Sequence, residues 1–203
     1  MAEFSPAYAK TNAREKMVLS NLATDRGGMT FGGIARGRQP GKQWAGWQLI
    51  DRILARSAVL APTLQEAAYL AELHEAFFRA YFWNDLRGDE IPEQAVAEKV
   101  YDAAVNCSRL QAVKWLQAAL NVSNLGGRLW ADVTMDGQIG PETCRCIRAA
   151  VSRPERQWLV LQVIETQQED HYFQLALRDA TQESNLLGWY RHRILNRVEP
   201  PAA

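Results

Sequence analysis

The sequence has no surplus of charge of either sign: 23 Lys and Arg face 23 Asp and Glu, for a formal net charge of zero. Without a basic excess there is no whole-chain electrostatic case for nucleic acid, which is excluded as an expected partner. Cysteine is scarce. Its three copies, Cys107, Cys144 and Cys146, form an odd set without metal-ligand spacing. Cys144 and Cys146 stand two apart on an expected helix, so their side chains diverge, and nothing demands an oxidising compartment. The three histidines, His74, His171 and His192, show neither metal spacing nor a partnered nucleophile. No role falls to them, and neither a metal nor another cofactor is expected. No apolar run approaches the ~20 residues that span a bilayer, so membrane insertion is not expected. The N-terminus lacks a basic start followed by an apolar core, which argues against a classical signal peptide. The expectation is synthesis in the cytoplasm, with any role outside it reached by another route. Strand-like alternation is nearly absent, as are repeats and low-complexity segments.

What is present is helical. The 203 residues are 47% hydrophobic and include seven tryptophans, enough for one good core or a main domain with a smaller one appended. Ser5 and Pro6 predict the start of a first helix reaching about Leu22, with Met17, Val18 and Leu22 on its buried face. A short helix begins near Trp47 and closes near Pro62. Thr63 and Glu66 form a capping box that opens a long helix, and Ala67, Leu70, Leu73, Phe77, Ala80 and Tyr81 mark its apolar face. Pro92 is placed at the start of the next helix, with Val96, Val100, Ala103 and Ala104 inward. A helix from Leu110 to Leu120 follows, then a polar, glycine-bearing loop with one strand-like stretch near Leu129 to Thr134. Pro141 starts a helix reaching about Val151, and a long one runs from Glu155 to about Ala180. Its polar middle, Gln167 to Asp170, is expected to be bent or exposed. A short helix over Leu186 to Leu195 ends the series. The class is all-α, with a glycine-rich loop or small hairpin after the first helix.

The stretch from Glu15 to Ile34 bears the chemistry. An acidic residue stands near a helix end, followed by Asp25 and by Gly27, Gly28, Thr30, Gly32 and Gly33. Glycines permit positive φ and close backbone approach, which suits a tight, ligand-facing loop. A carboxyl group shielded from water can hold its proton near neutral pH and deliver it to a leaving group. The plainer alternative is a solvated helix residue before an ordinary connector. Trp44, Trp47 and Trp83 could cover sugar faces, or could be core, as helical aromatics usually are.

Glu15, then Asp25-Arg26-Gly27-Gly28-Met29-Thr30, then Gly33-Ile34, resembles the signature of glycoside hydrolase family 108, the bacterial N-acetylmuramidases. That signature reads E-G-G-Y and then D-P-G-G-x-T-x-x-G-I. The resemblance continues through Tyr81-Phe82-Trp83, Arg87 to Pro92, Tyr101 to Asn106, Val113 to Gln117, Met135 to Thr143, Gly188-Trp189 and Asn196 to Val198. The latter half resembles the predicted peptidoglycan-binding domain fused to that family. There are departures: Lys16, Met17 and Val18 stand where the family has two glycines and an aromatic, about one residue is inserted before Asp25, and Arg26 replaces a proline. The resemblance implies a lysozyme-like catalytic domain over 1–109 and a helical peptidoglycan-binding-like domain over 110–203. It implies cleavage of the β-1,4 bond between N-acetylmuramic acid and N-acetylglucosamine in peptidoglycan glycan strands. Glu15 would be the general acid, and Asp25 and Thr30 further catalytic residues. Gly27, Gly28, Gly33, Trp83 and Asn106 would bind substrate. An immunity or delivery protein is a candidate partner, and delivery to the periplasmic wall by holin, secretion system or lysis is expected. A lytic transglycosylase, and a catalytically silent wall-binding or secretion-assisting protein, are the alternatives.

Overall fold

A computed structural model describes residues 1–15, 17–21 and 28–194, with the backbone alone at 14 and 15. Among them are eight α-helices and one small sheet, the expected all-α class. The chain forms two compact units, one of Tyr8–Asp85 and one of Met1–Ala7 with Leu86–Ala203.

Helix α1 covers Phe4–Glu15 and stops earlier than the expected Leu22. Its buried face is Phe4, Ala7 and Thr11, spaced by three and four residues. Val18, expected to be buried, is exposed, Met17 is half-buried, and Leu22 lies outside the described residues. The reason is pairing: Leu19–Ser20 forms strand β1 against β2, Thr30–Phe31, which in turn pairs with β3, Ile34–Ala35. All pairs are antiparallel, in the order β1-β2-β3, with Leu19 opposite Phe31 and Thr30 opposite Ala35. Backbone groups committed to that ladder cannot also extend a helix.

The β2–β3 turn is two residues, Gly32 and Gly33, at φ +53° and +81°. Two consecutive positive φ values make the type I′ geometry that matches the twist of a hairpin. Alternation then divides the sheet, with Leu19, Phe31 and Ile34 on one face and Ser20, Thr30 and Ala35 on the other. Phe31 and Ile34 are buried; Thr30 is half-buried.

Helix α2, Gly46–Arg56, follows a short turn, and α3 spans Leu64–Phe78. The Thr63–Glu66 capping box forms as the sequence predicts. Trp44 stacks on Phe31 at 5.5 Å and meets Trp47 edge-on at 5.2 Å. Both indoles are bonded to backbone, Trp44 to the Leu73 carbonyl and Trp47 to that of Gly41. These aromatics are core. On α3 the buried stripe is Leu70, His74, Phe77 and Phe78, while Ala67, Ala80 and Tyr81 are exposed. The expected face fails beyond Phe78 because Arg79–Trp83 is a π turn. A wider turn delays the stripe by a residue and carries Trp83 inward instead of Tyr81.

In the second unit, α4 covers Gln94–Asn106, α5 Arg109–Val122, α6 Pro141–Val151, α7 Pro154–Arg178 and α8 Glu183–Trp189. Val96, Val100, Ala103 and Ala104 are buried as expected. Glu93 rather than Pro92 sets the start of α4, its carboxylate accepting from the Val96 N–H at 2.8 Å. Helix α7 runs unbroken through its polar middle, where Gln168 is fully buried. Leu175 is exposed, because Tyr172 and Ala176 take the inner positions. Leu129 to Thr134 holds no strand.

Candidate active site

Glu15 is the last residue of α1. Its side chain, and all of Asp25 and Gly27, lie outside the described residues. Thr30, Gly28 and Gly33 sit together on the β2–β3 hairpin and its approach. The Thr30 hydroxyl donates to the Gly28 carbonyl at 3.1 Å. Gly28 has φ +68°, with nothing among the described residues within 4 Å of where a side chain would stand, and Gly33 is exposed. The backbone here can therefore be approached closely by a ligand.

The other named residues stand on other elements. Trp83 is fully buried and offers no face to a sugar in this structure. Asn106 ends α4 in the second unit, and its side-chain carbonyl accepts from the Tyr172 hydroxyl at 2.5 Å. The turn from Asp136 to Pro141 is held from within. The buried Gln117 amide donates to Asp136 at 2.8 Å and to the Gln138 carbonyl at 3.0 Å, and accepts from the Gly137 N–H at 2.9 Å. Asp136 also accepts from the Gln138 N–H, and these bonds hold its carboxyl below the usual range, the Gln117 contact most of all.

Sequence reasoning left His74 without a role. It is fully buried, 2.8 Å from the Gly32 carbonyl through Nε2 and 2.8 Å from the Tyr8 hydroxyl through Nδ1. Burial pushes its pKa down, against a smaller opposing effect of the Gly32 carbonyl. The Tyr8 phenol is pushed up to about 12, first by burial and then by Glu75. Local spacing carries no sign of this set, whose members are 66 and 42 residues apart. On the Phe31 face of the sheet, away from Thr30, lies an apolar cavity of about 600 Å³ lined by Val18, Leu19, Phe31, Leu54, Val59 and Leu70. Among the described residues no cluster of His, Cys, Asp and Glu could hold a metal ion.

Two family models match this chain. Residues 9–107 match the one described as Glycosyl hydrolase 108, and residues 111–194 the one described as Predicted Peptidoglycan domain. Residues 9–107 thus form a glycoside hydrolase family 108 domain, followed by a predicted peptidoglycan domain. The family 108 match takes in Glu15, the whole hairpin and Trp83, and extends to Asn106. The protein is thus a glycoside hydrolase of the muramidase type, and peptidoglycan is its substrate. The solved structure of SagA from Brucella abortus is similar in fold: 21% identity, 93% of this chain and 95% of that chain covered, TM-score 0.50. No curated protein matches. No helix among the described residues is long and apolar enough to cross a membrane.

Proposed function

We propose that this family 108 hydrolase cleaves the β-1,4 bond between N-acetylmuramic acid and N-acetylglucosamine, with Glu15 as general acid. The observation that carries the reading is positional. Glu15 closes α1 inside the matched segment, and the chain then enters the sheet that bears Thr30 beside open glycines. In the reaction Glu15, as general acid, gives its proton to the glycosidic oxygen as the bond to the anomeric carbon breaks. A water then adds to the oxocarbenium-like centre from the other face in a single displacement. Asp25 accepts the water's proton and the Thr30 hydroxyl holds the water. Gly27, Gly28 and Gly33 let the sugar approach the backbone. The proposed place of action is the cell wall.

Lys16, Met17 and Val18, in place of two glycines and an aromatic, favour a second reading, a wall-binding protein without catalysis. Mass spectrometry of what the pure protein releases from sacculi tests both. Muropeptides with reducing ends support the hydrolase, and anhydro ends mark a transglycosylase. Binding without release leaves the silent reading.

A further inference from the structure

We propose that His74 is a positioning residue of this hydrolase, locking the Gly32–Gly33 hairpin, and Thr30 with it, to the helix that ends in Glu15. The inference rests on the assignment of Glu15 and Thr30 above, but its geometry lies wholly within the Tyr8–Asp85 unit.

The protonation pattern of the ring follows from its partners. A carbonyl oxygen only accepts, so the Nε2 atom 2.8 Å from the Gly32 oxygen carries the hydrogen. Nδ1 then holds the lone pair and accepts from the Tyr8 hydroxyl, 2.8 Å away. Both ring nitrogens are engaged and the imidazole is fully buried. Phe78 lies 4.6 Å from it, and Trp44 and Phe31 meet it edge-on. Burial favours the neutral ring, so one tautomer is fixed.

Gly32 is matched to this contact. A Cβ there would come within 2.4 Å of Nε2, and φ is +53°. The hairpin tip is therefore seated on the ring and cannot carry a side chain. Thr30 lies two residues before that seat. Tyr8 lies seven residues before Glu15, two turns of the same helix. The line Glu15–α1–Tyr8–His74–Gly32–Thr30 thus runs through one helix, two hydrogen bonds and one strand.

The Gly32 carbonyl selects the tautomer, and Tyr8 ties the ring to α1. Without the Tyr8 hydroxyl the Nε2–H contact remains but Nδ1 loses its donor, and with it the ring's tie to the helix that ends in Glu15. The hairpin would then lose its anchor on that helix although no group near the sugar had changed. A core histidine that only fills space predicts lost stability instead, with turnover per folded molecule intact.

The test uses the full chain, with kcat and KM measured on soluble glycan strands and ¹⁵N NMR of the histidine rings. Wild type should show His74 with Nε2 protonated and Nδ1 bare. Tyr8→Phe should remain folded and lower kcat on the order of 10–100-fold, the scale of a small misplacement, with KM little changed. His74→Gln, which keeps an N–H for Gly32, should retain more turnover than His74→Phe. A wild-type Nδ1–H tautomer, or wild-type kcat in Tyr8→Phe, overturns the proposal. A wild type that releases no muropeptides defeats the hydrolase reading instead, and the NMR spectrum still decides whether the seat exists.

Discussion

The two units bury polarity by different means. In Tyr8–Asp85 the buried ionisable group among the described residues is a neutral imidazole in an aromatic nest, bonded at both nitrogens. In the other unit Arg193 donates to Asp102 inside the core, with Lys99 3.7 Å from Glu165 nearby in sequence and fold. Each unit also carries an irregular glycine-bearing stretch, and these differ in the same way. The tip of the hairpin takes a side-chain bond at its Gly32 carbonyl, from His74, while Gly28 and Gly33 are exposed beside Thr30. The segment 123–140 is held by side-chain amides: Gln117 on the Asp136 turn, Asn121 bonded both ways with Val133, and Asn124 on Asp132. Those amides brace its backbone from α5 and from within. A loop braced from behind keeps its front for a ligand, whereas a loop that satisfies its own polar atoms is scaffold. The proposed chemistry is therefore assigned to the hairpin rather than to the 123–140 segment.

The contrast can be broken by stability measurements, the largest effect first. Arg193→Met removes the guanidinium from a buried carboxylate and should destabilise by about 3–5 kcal/mol in a urea melt. The double change Asp102→Leu with Arg193→Met should recover much of that, because the ionic cost leaves with the pair. Gln117→Leu strips donors and an acceptor from the Asp136 turn and should lower stability by about 1–3 kcal/mol, read from the same melts. If it instead abolishes turnover in molecules shown to be folded, the 123–140 segment is more than scaffold.

The smallest effect is in pH. His74 binds a proton less readily when folded than its ordinary value of 6.5 allows, so below that pH the unfolded chain takes up more protons. Its contribution is fully present above about 6.5 and is lost as the pH falls from there. The melting temperature of wild type should therefore drop between pH 7.5 and 5, and that of His74→Gln should drop less. His171, which burial also pushes down, contributes equally to both proteins and cancels in the difference. Equal slopes would show that His74 is not buried as a neutral ring.

Local chemistry was legible where local groups decide. The Thr63–Glu66 box, Pro141 at the first turn of α6 and the inward face of α4 all follow from contacts within a few residues. Of the two forms the glycines allowed, a loop or a small hairpin, the chain takes the hairpin. What stayed hidden depends on distant partners. Nothing near Glu15 says that Leu19 will pair with Phe31 and so end the helix early. A repeat of 3.6 cannot foresee the π turn at Arg79–Trp83 that moves the apolar stripe. His74 looked idle because its meaning lies in Tyr8 and Gly32, and Asn106 finds its partner in Tyr172, 66 residues on. Glu15 and Thr30 became candidates through the family signature, which records the outcome of a fold without deriving it.

The central claim, that Glu15 supplies the proton, is tested most directly by Glu15→Gln in a sacculus turbidity assay, with a thermal melt on the same sample. An amide keeps the shape but has no acidic proton. The account predicts a loss of about 10²–10⁴-fold in digestion rate with the melting temperature unchanged. Digestion at a rate close to wild type would contradict it.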